Sequence, residues 1–263
     1  MTKHHSKAFL ICQVSMKFSQ IEITNKLPTE VLSQVRDFLN GNKVRTIFTP
    51  NPEMIVLARK DGEFAHVLNS SDLNVADGSG ITILTRGHLP RYPGVELMRD
   101  ILEIANEKSS KIFLLGTGNQ KTLGTAVAKI KEKYPRIIIS GTNIGPHFDQ
   151  SGKITDESVD EESINQIIMT APEIVFVAFG HGKQEKWIMK HKKDFPSVRI
   201  MMGVGGSIDM IAGVQRRAPC FLRKIGLEWL WRLICEPKRI GRIYRATVVF
   251  TLQNFKYFFK HYD

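Results

Sequence analysis

The chain has 263 residues, which is too long for a minimal disulfide scaffold and short for two full domains. This length predicts one α/β-sized core with an attachment. A composition of 42% hydrophobic and 24% charged residues, without a biased tract, excludes extensive disorder. The formal net charge is +11. Three cysteines, Cys12, Cys220 and Cys235, show no CxxC spacing, so they support neither a disulfide framework nor a zinc knuckle and fit a reducing cytoplasm.

The first residues of the sequence do not fit the pattern expected of a signal peptide. Residues 1–7 are basic, but the apolar run that follows, Ala8 to Cys12, is too short for the core of a signal peptide. No apolar stretch of the sequence reaches the roughly 18 to 20 residues of a spanning helix. We therefore expect a protein that is soluble or lies on a membrane.

Short apolar or β-branched runs alternate with amphipathic stretches over most of the chain. The predicted strands are Val44 to Phe48, Lys111 to Leu115, Ile137 to Ile139, Ile174 to Phe179 and Ile200 to Val204. The predicted helices have apolar residues three and four apart and cover Val31 to Leu39, Leu97 to Ala105, Leu123 to Ile130 and Ile164 to Ile168. This alternation predicts an α/β fold, in which a Rossmann-like, mostly parallel sheet carries helices on both faces.

The composition changes near Gln215. Residues 216–263 contain eleven Lys and Arg against three Asp and Glu, so they carry +8 of the net +11. They also contain ten of the chain's aromatic residues, which are 15 Phe, 5 Tyr and 3 Trp. We predict an α/β core of residues 1–215 that folds by itself and a basic, aromatic, helical appendage of residues 216–263, called the C-terminal tail below.

Three arginines of the C-terminal tail share a regular spacing. Arg232, Arg239 and Arg242 lie seven and three residues apart, which places them on one face of a continuous or gently kinked helix despite Pro237. Guanidinium groups donate bidentate hydrogen bonds to phosphate, so such a face suits a diphosphate. A basic and aromatic helix is also typical of membrane-interface binding. The alternative that the segment is an ordinary surface helix with a buried apolar face stays open. No nucleic-acid-binding signature accompanies the basic residues of the tail.

The turns after the predicted strands hold the candidate chemical groups, because ligands of such sheets bind outside the carboxyl ends of the strands. Asp77 follows a short apolar stretch and precedes Gly78, which suits a general base, although Asp-Gly is also a common turn. Arg91 precedes a Pro-Gly turn and suits a phosphate or carboxylate, although a solvated arginine stays open. Gly116-Thr117-Gly118 resembles a nucleotide-binding turn, but the third glycine of that pattern is missing. The alternative that it is a plain strand-to-helix turn is equally open.

Patterns for metal binding and for a P-loop are missing from the sequence. It contains no Asp-x-Asp pair and no GxxxxGK[ST] segment. His66, His147 and His181 are isolated, without HxH or HExxH spacing, so we interpret them as non-metal histidines.

Taken in order, these segments resemble the WecG/TagA/CpsF family of bacterial glycosyltransferases from about Thr46 to Arg245. Nine segments carry the resemblance: Thr49-Pro50-Asn51, Ala76-Asp77-Gly78-Ser79-Gly80, Arg91-Tyr92-Pro93-Gly94, Phe113-Leu114-Leu115-Gly116, residues 180–188, residues 203–206, Arg217-Ala218-Pro219, residues 226–233 and residues 236–242. One position departs from the family. Gly182 stands where the family usually has proline before Lys-Gln-Glu, and it loosens the loop that carries Gln184.

The resemblance implies transfer of a sugar, with inversion and without a metal or other cofactor, from a UDP-sugar to undecaprenyl-diphosphate-linked N-acetylglucosamine. Residues 93–98 look most like the branch that builds the teichoic-acid linkage unit, which implies N-acetylmannosamine as the donated sugar. N-acetylmannosaminuronic acid or another hexose stays open. The resemblance also implies a cytoplasmic protein bound peripherally to the anionic inner face of the bacterial membrane, with no nucleic acid as partner. The oligomeric state, a homo-oligomer included, stays open.

The resemblance also implies roles for residues that match the family by position. Asp77 would be the general base that takes the proton from the acceptor hydroxyl. Sugar hydroxyls would be held by Thr49 and Asn51, and the substrate would be positioned by Arg91 and Gln184. The charge that grows on the departing UDP would be stabilised, in place of a metal, by Arg232, Arg239 and Arg242.

Two other classes of function compete with this one. The first is a nucleotide-cofactor oxidoreductase built on Gly116-Thr117-Gly118, which should bind NAD(P) and carry an acid after the next strand, where Ser140-Gly141-Thr142 supplies none. The second is a non-enzymatic basic adaptor, which would leave Asp77 and Gln184 without a role.

Overall fold

The protein is described by a computed structural model over residues 15–149 and 151–260. The basic residues 1–7 and the run Ala8 to Cys12 lie outside the described residues. The strands, in chain order, are β1 (Ser15–Phe18), β2 (Ile21–Thr24), β3 (Arg45–Phe48), β4 (Leu73–Asn74), β5 (Lys111–Gly116), β6 (Ile138–Asn143), β7 (Ile174–Ala178) and β8 (Ile200–Gly203).

Helices connect these strands and form the C-terminal tail. In chain order the α-helices of the described residues are α1 (Pro28–Asn40), α2 (Pro52–Ala58), α3 (Gly62–Asn69), α4 (Ser79–Leu84), α5 (Gly94–Lys108), α6 (Gln120–Lys133), α7 (Glu157–Thr170), α8 (Lys183–His191), α9 (Ser207–Ala212), α10 (Cys220–Lys224), α11 (Glu228–Cys235), α12 (Ile240–Tyr244) and α13 (Phe250–Asn254). Shorter 3-10 segments cover Pro237–Arg239 and Phe255–Phe259, and a π-helical segment covers Arg245–Val249.

Six strands form one parallel sheet in the order β4-β3-β8-β7-β5-β6, and β1 and β2 form a separate antiparallel hairpin. In the register of the sheet, Val177 lies opposite Leu115 on one neighbour and Gly203 on the other. All five predicted strands belong to this sheet, and the predicted parallel α/β fold is confirmed. The sequence pattern missed β4, which has only two residues, and the four-residue strands of the hairpin.

Buried side chains cover both faces of the sheet, because successive residues of a strand point to opposite faces. In β5, Phe113 and Leu115 belong to one buried cluster, together with α2, α3, α8 and the hairpin. Ile112 and Leu114 belong to the other cluster, together with α1, α5, α6 and α9. Such a two-faced core explains why the central strands read as continuous apolar runs.

The C-terminal tail is helical, as predicted, but it is not one helix. Helix α11 ends at Cys235, and Glu236 adopts a non-helical conformation with φ −136° and ψ 75°. Pro237 causes this break, since it has no N–H to donate and disfavours helical geometry in the residue before it. The prediction of a continuous or gently kinked helix is therefore wrong.

The end of the C-terminal tail packs into the main core. Phe250 is 1% exposed and its ring centroid lies 5.9 Å from that of Phe18 in the hairpin. The Tyr257 ring lies 4.6 Å from Phe18, and its hydroxyl donates to the Ser19 carbonyl at 3.2 Å. The boundary near Gln215 stays a prediction. The expectation that residues 1–215 fold by themselves stays a prediction too, although residues of both parts share one core.

Phe250→Ala is expected to lower the free energy of unfolding by about 3–5 kcal/mol, because it leaves a cavity where the tail meets the hairpin. Phe259→Ala is the matched control, since Phe259 lies in the same tail but is 62% exposed, and it should cost less than about 1 kcal/mol. Chemical denaturation of the full chain measures both values. Equal costs for the two variants would contradict the shared core.

Candidate active site

The carboxyl ends of the parallel strands open onto a cavity of about 440 Å³, called the central cavity below. Its walls come from the turns after the strands and from the C-terminal tail. Among the side chains that line it are Thr49, Asn51, Met54, Asp77, Thr117, His147, Phe148, His181, Gln184, Asp209, Gln215, Glu228, Arg232, Arg239 and Arg242. Seven of the eight predicted site residues therefore line one cavity, and Arg91 is the exception.

Asp77 lies three residues after the end of β4, where it meets the turn after β3 and the start of α5. Its Oδ2 accepts a hydrogen bond from the Gly94 N–H at 3.2 Å. A Cβ atom at Gly94 would lie only 2.8 Å from Thr49 Oγ1 and 3.5 Å from Asp77 Oδ2. A glycine at position 94 is thus what allows the carboxylate, the Thr49 hydroxyl and the helix start to converge.

The surroundings of Asp77 favour a carboxylate that can accept a proton. Burial raises the pKa of the Asp77 carboxyl above its ordinary value, and the nearby Arg232 guanidinium acts in the opposite direction. Glu228 raises this pKa further, whereas the Gly94 N–H and Arg91 lower it. A partly buried carboxylate with a raised pKa in a cavity is a candidate general base.

Asn51 begins α2 and caps it. Its side-chain oxygen accepts a hydrogen bond from the Met54 N–H at 3.0 Å, which satisfies one of the free donors at the helix start. Since the cap uses the oxygen, a ligand in the central cavity would meet the amide nitrogen of Asn51.

Gln184 shapes the turn after β8. Its Oε1 accepts from the Gly205 N–H at 2.9 Å, and its Nε2 donates to Glu185 Oε1 at 2.7 Å. The side chain also packs against Gly203, where a Cβ atom would lie 2.8 Å from Nε2. Gln184 therefore holds the wall of the central cavity in place, and both ends of its amide contact protein groups.

Gly182 has a conformation that proline cannot adopt. Its φ is +83°, whereas the ring of proline fixes φ near −65°. Its N–H also donates to the buried Glu185 carboxylate at 2.7 Å, and proline has no N–H. Burial raises the pKa of Glu185 to about 7, and the hydrogen bonds from Gln184 and Gly182 oppose that rise. Gly182 thus supplies a backbone conformation and a donor that proline at this position could not supply.

Gly182→Pro is expected to lower the free energy of unfolding by about 2–4 kcal/mol, because it forces a new backbone conformation and removes a donor from buried Glu185. Gly182→Ala keeps the N–H and should cost about 1–2 kcal/mol, through the positive φ alone. Chemical denaturation compares the two. A proline variant as stable as the unsubstituted chain would mean that the loop adopts the proline conformation without cost.

Arg91 lies behind the wall of the central cavity. Its Nη1 donates to the Arg223 carbonyl at 2.8 Å, and its Nη2 donates to Glu228 Oε2 at 3.0 Å. The other oxygen of Glu228 accepts from Arg232 Nη2 at 3.3 Å. Arg91 therefore anchors the C-terminal tail and reaches the cavity only through Glu228 and Arg232.

The three predicted arginines reach the central cavity from three consecutive short segments of the C-terminal tail. Arg232 belongs to α11, Arg239 to the 3-10 segment after the break, and Arg242 to α12. Each is paired with a glutamate: Arg232 with Glu228 at 3.3 Å, Arg239 with Glu236 at 2.5 Å, and Arg242 with Glu53 at 3.0 Å. The turn at Glu236 thus brings the three arginines to one cavity, whereas the sequence predicted that one helical face would present them together.

The sequence model of the glycosyl transferase WecG/TagA/CpsF family matches residues 16–263 of the chain. This range includes the sheet, the central cavity and the C-terminal tail. The chain belongs to this family. The resemblance found in the sequence is thereby confirmed, and the protein is a glycosyltransferase. The oxidoreductase and the adaptor alternatives are set aside.

Relatives of this glycosyltransferase occur in Staphylococcus aureus. Proteins named N-acetylglucosaminyldiphosphoundecaprenol N-acetyl-beta-D-mannosaminyltransferase from strains NCTC 8325 / PS 47 and MRSA252 are each 32% identical to it over 229 residues. The match covers 85% of this chain and 85% of each relative.

Two acidic residues of the glycosyltransferase cavity escaped the sequence analysis. Asp209 lies in the first turn of α9, and burial raises its pKa, opposed by Arg239. Glu228 pairs with Arg91 and Arg232. Asp209 follows the Gly205-Gly206 turn after a predicted strand, so the rule that pointed to the turn of Gln184 could have found it too.

Over residues 15–149 and 151–260, no group of three or more His, Cys, Asp or Glu side chains is arranged to hold a metal ion. Within the same part of the glycosyltransferase, no helix combines the length and apolar character needed to cross a membrane.

Proposed function

We propose that the protein transfers N-acetylmannosamine from UDP-N-acetylmannosamine to undecaprenyl-diphosphate-linked N-acetylglucosamine, in the synthesis of the teichoic-acid linkage unit or a related cell-surface polysaccharide. The observation that carries this proposal is a cavity that brings the Asp77 carboxylate together with three arginines of the C-terminal tail. The donor sugar and the acceptor come from the names of the S. aureus relatives.

In the proposed reaction Asp77 is the general base. The acceptor hydroxyl oxygen forms a bond to the anomeric carbon while its proton passes to the Asp77 carboxylate. The bond between that carbon and the β-phosphate oxygen breaks on the opposite side, so the configuration inverts and UDP leaves with the electron pair. Burial of Asp77 supports this role, because a carboxylate with a raised pKa binds a proton more tightly than a solvated one.

Arg232, Arg239 and Arg242 would stabilise the negative charge that grows on UDP. A guanidinium has five N–H donors, so a contact with one glutamate leaves further donors for phosphate oxygens. Donors fixed before the reaction stabilise developing charge more effectively than mobile solvent does. The glutamate pairs support this role, since they hold the guanidinium groups in the cavity wall.

The other predicted site residues would hold the sugars. Thr49 Oγ1 lies beside Gly94 and Asp77, which suits a hydroxyl near the reacting carbon. Asn51 would donate a hydrogen bond from its amide nitrogen to a sugar hydroxyl. Gln184 would shape the pocket through the turn after β8, and Arg91 would act indirectly, through Glu228 and Arg232.

We also propose that the protein is peripheral on the inner face of the cell membrane, a location that a lipid-linked acceptor supports. The C-terminal tail supports this location, because it exposes large apolar side chains among its basic residues: Phe221, Ile225, Ile240, Tyr244, Leu252, Phe255 and Phe259. Co-sedimentation with vesicles that contain anionic lipid tests it. Binding that is unchanged when Phe255 and Phe259 are both replaced by serine would argue against this surface.

A donor panel tests the donor assignment. Initial rates are compared for UDP-N-acetylmannosamine, UDP-N-acetylmannosaminuronic acid, UDP-N-acetylglucosamine and UDP-glucose with one soluble analogue of the lipid-diphosphate-linked acceptor. The first donor should give the highest kcat/KM. A higher value for another donor would replace the sugar in the proposal but leave the mechanism standing.

Transfer is expected to persist in excess EDTA, because the three arginines supply the positive charge that a metal otherwise gives to the diphosphate. The sequence has no Asp-x-Asp pair of the kind that bridges a metal to a diphosphate. Initial rates with EDTA and with added Mg²⁺ should agree within about twofold. A loss of activity in EDTA that Mg²⁺ restores would contradict metal independence.

A further inference from the structure

Glu53, in the first turn of α2, meets three basic side chains from distant parts of the chain. The exposed fraction of the Glu53 side chain is 13%. Both of its oxygens accept from Arg242 Nε, at 3.0 and 3.1 Å. Arg245 Nη2 lies 3.5 Å from Oε1, and His181 Nε2 lies 3.7 Å from the same oxygen. A half-buried carboxylate thus stands at the junction of α2, the turn after β7 and the C-terminal tail.

His181 supplies a second acceptor for the same guanidinium. Arg242 Nη2 lies 3.1 Å from His181 Nδ1. A guanidinium only donates, so Nδ1 must be the acceptor and the imidazole is neutral, with its proton on the Nε2 that faces Glu53. Burial lowers the pKa of His181, and Arg242, Arg245 and Arg239 lower it further against the effect of Glu53, which agrees with a neutral ring.

The partner of Arg242 differs from those of the other two cavity arginines. Arg232 and Arg239 pair with Glu228 and Glu236, which belong to the C-terminal tail itself. Arg242 pairs with a residue of the α/β core 189 positions away in the sequence. That core residue is two positions from Asn51, the cap of the same helix.

We propose that Glu53 is a positioning residue, which fixes the Arg242 guanidinium against the core so that it meets the diphosphate of the donor in a set orientation. This inference rests on the proposed function for the identity of the ligand. An arginine loses much rotamer freedom when it binds, and two fixed acceptors remove that freedom before the ligand arrives.

A competing effect must be separated from positioning. Glu53 carries a negative charge near the cavity, so its removal makes the site more positive and favours an anionic ligand. Glu53→Asp isolates positioning, because it keeps the charge but withdraws the carboxylate by one methylene group. If charge alone mattered, Glu53→Asp would behave like the unsubstituted protein.

The test compares Glu53→Asp with Glu63→Gln, which alters an exposed glutamate that pairs with Lys186 on α8. We expect Glu53→Asp to lower kcat/KM for the UDP-sugar about tenfold, a value typical of one lost charge-assisted contact, while Glu63→Gln changes it less than about twofold. In an Arg242→Ala background, Glu53→Asp should add less than about twofold, because the group it positions is gone. A tenfold loss in that background, or normal kcat/KM in the single variant, would overturn the inference.

A second measurement does not depend on the ligand. Hydrogen exchange of the Arg242 Nε–H, followed by NMR, should be slow in the unsubstituted protein and in Glu63→Gln and faster in Glu53→Asp. If no UDP-sugar supports transfer, the proposed function fails, and this exchange still decides whether Glu53 holds Arg242. Equal exchange in all three proteins would overturn the inference even if sugar transfer is observed.

Discussion

Asp77→Asn is expected to lower kcat by about 10²–10⁴-fold, the range typical of losing a general base. Asparagine keeps the shape of the side chain and its contact with the Gly94 N–H but cannot take the acceptor proton. UDP affinity, measured by calorimetric titration, should change less than about threefold, because the base acts on the acceptor and not on the nucleotide. Thr49→Ser is the control, since it alters a neighbour of Asp77 but keeps the hydroxyl.

The pH profile of transfer gives a second view of the same residue. Asp77 must be deprotonated to act as a base, so kcat/KM should rise with pH through its pKa, above the ordinary range of an aspartate. Arg232 lowers that pKa, so Arg232→Ala should move the acidic limb to higher pH. Arg36 lies on the surface of the core, paired with Glu107, so Arg36→Ala should leave the limb in place. Near-normal turnover of folded Asp77→Asn would remove Asp77 from the mechanism.

Replacement of Arg232, Arg239 and Arg242 together by alanine is expected to lower kcat/KM for the donor by at least about 10³-fold. Loss of a single fixed donor to a developing anion already costs about 10²–10³-fold in other enzymes, although such losses are not additive. Initial rates over a range of donor concentrations measure the effect. Replacement of the same three residues by lysine should give an intermediate loss, because lysine keeps the charge but not the bidentate geometry.

The triple alanine variant also removes one arginine partner from each of three glutamates, so its fold must be checked. Arg36→Ala serves as the control, because it breaks an arginine–glutamate pair, with Glu107, on the surface of the core. Both variants should remain folded by circular dichroism, and Arg36→Ala should retain full activity. Transfer by the triple variant at the normal rate would mean that the tail is not part of the site.

The parallel sheet could be predicted from the sequence because its signals are local. Runs such as Ile174 to Phe179 and Ile200 to Val204 are continuous and apolar, as strands covered on both faces must be. The rule that ligands bind beyond the carboxyl ends of such strands pointed to the turn that contains Gln184. Asp77 was singled out as a carboxylate between a short apolar stretch and a glycine, and the roles of both residues came from the family resemblance. The two-residue β4 carries no periodic signal of its own and was missed.

The parts of the site that depend on distant contacts could not be predicted. The pairing of Glu53 with Arg242 joins residues 189 positions apart, and no sequence pattern around either residue predicts this contact. Arg91 was expected to position substrate, but the tail folds back and engages it through Glu228. The break at Glu236 follows from Pro237, a local signal that the regular spacing of the arginines obscured.

The most direct test of the proposed activity is product analysis with the full chain, UDP-N-acetylmannosamine and a soluble analogue of lipid-diphosphate-linked N-acetylglucosamine. Mass spectrometry and NMR of the purified product are compared with the amount of UDP released. We predict one product, heavier than the acceptor by a single N-acetylhexosamine, equal in amount to the UDP and with an anomeric configuration opposite to that of the donor. UDP release without a glycosylated acceptor, or a product that retains the donor configuration, would contradict the proposed inverting transfer at Asp77.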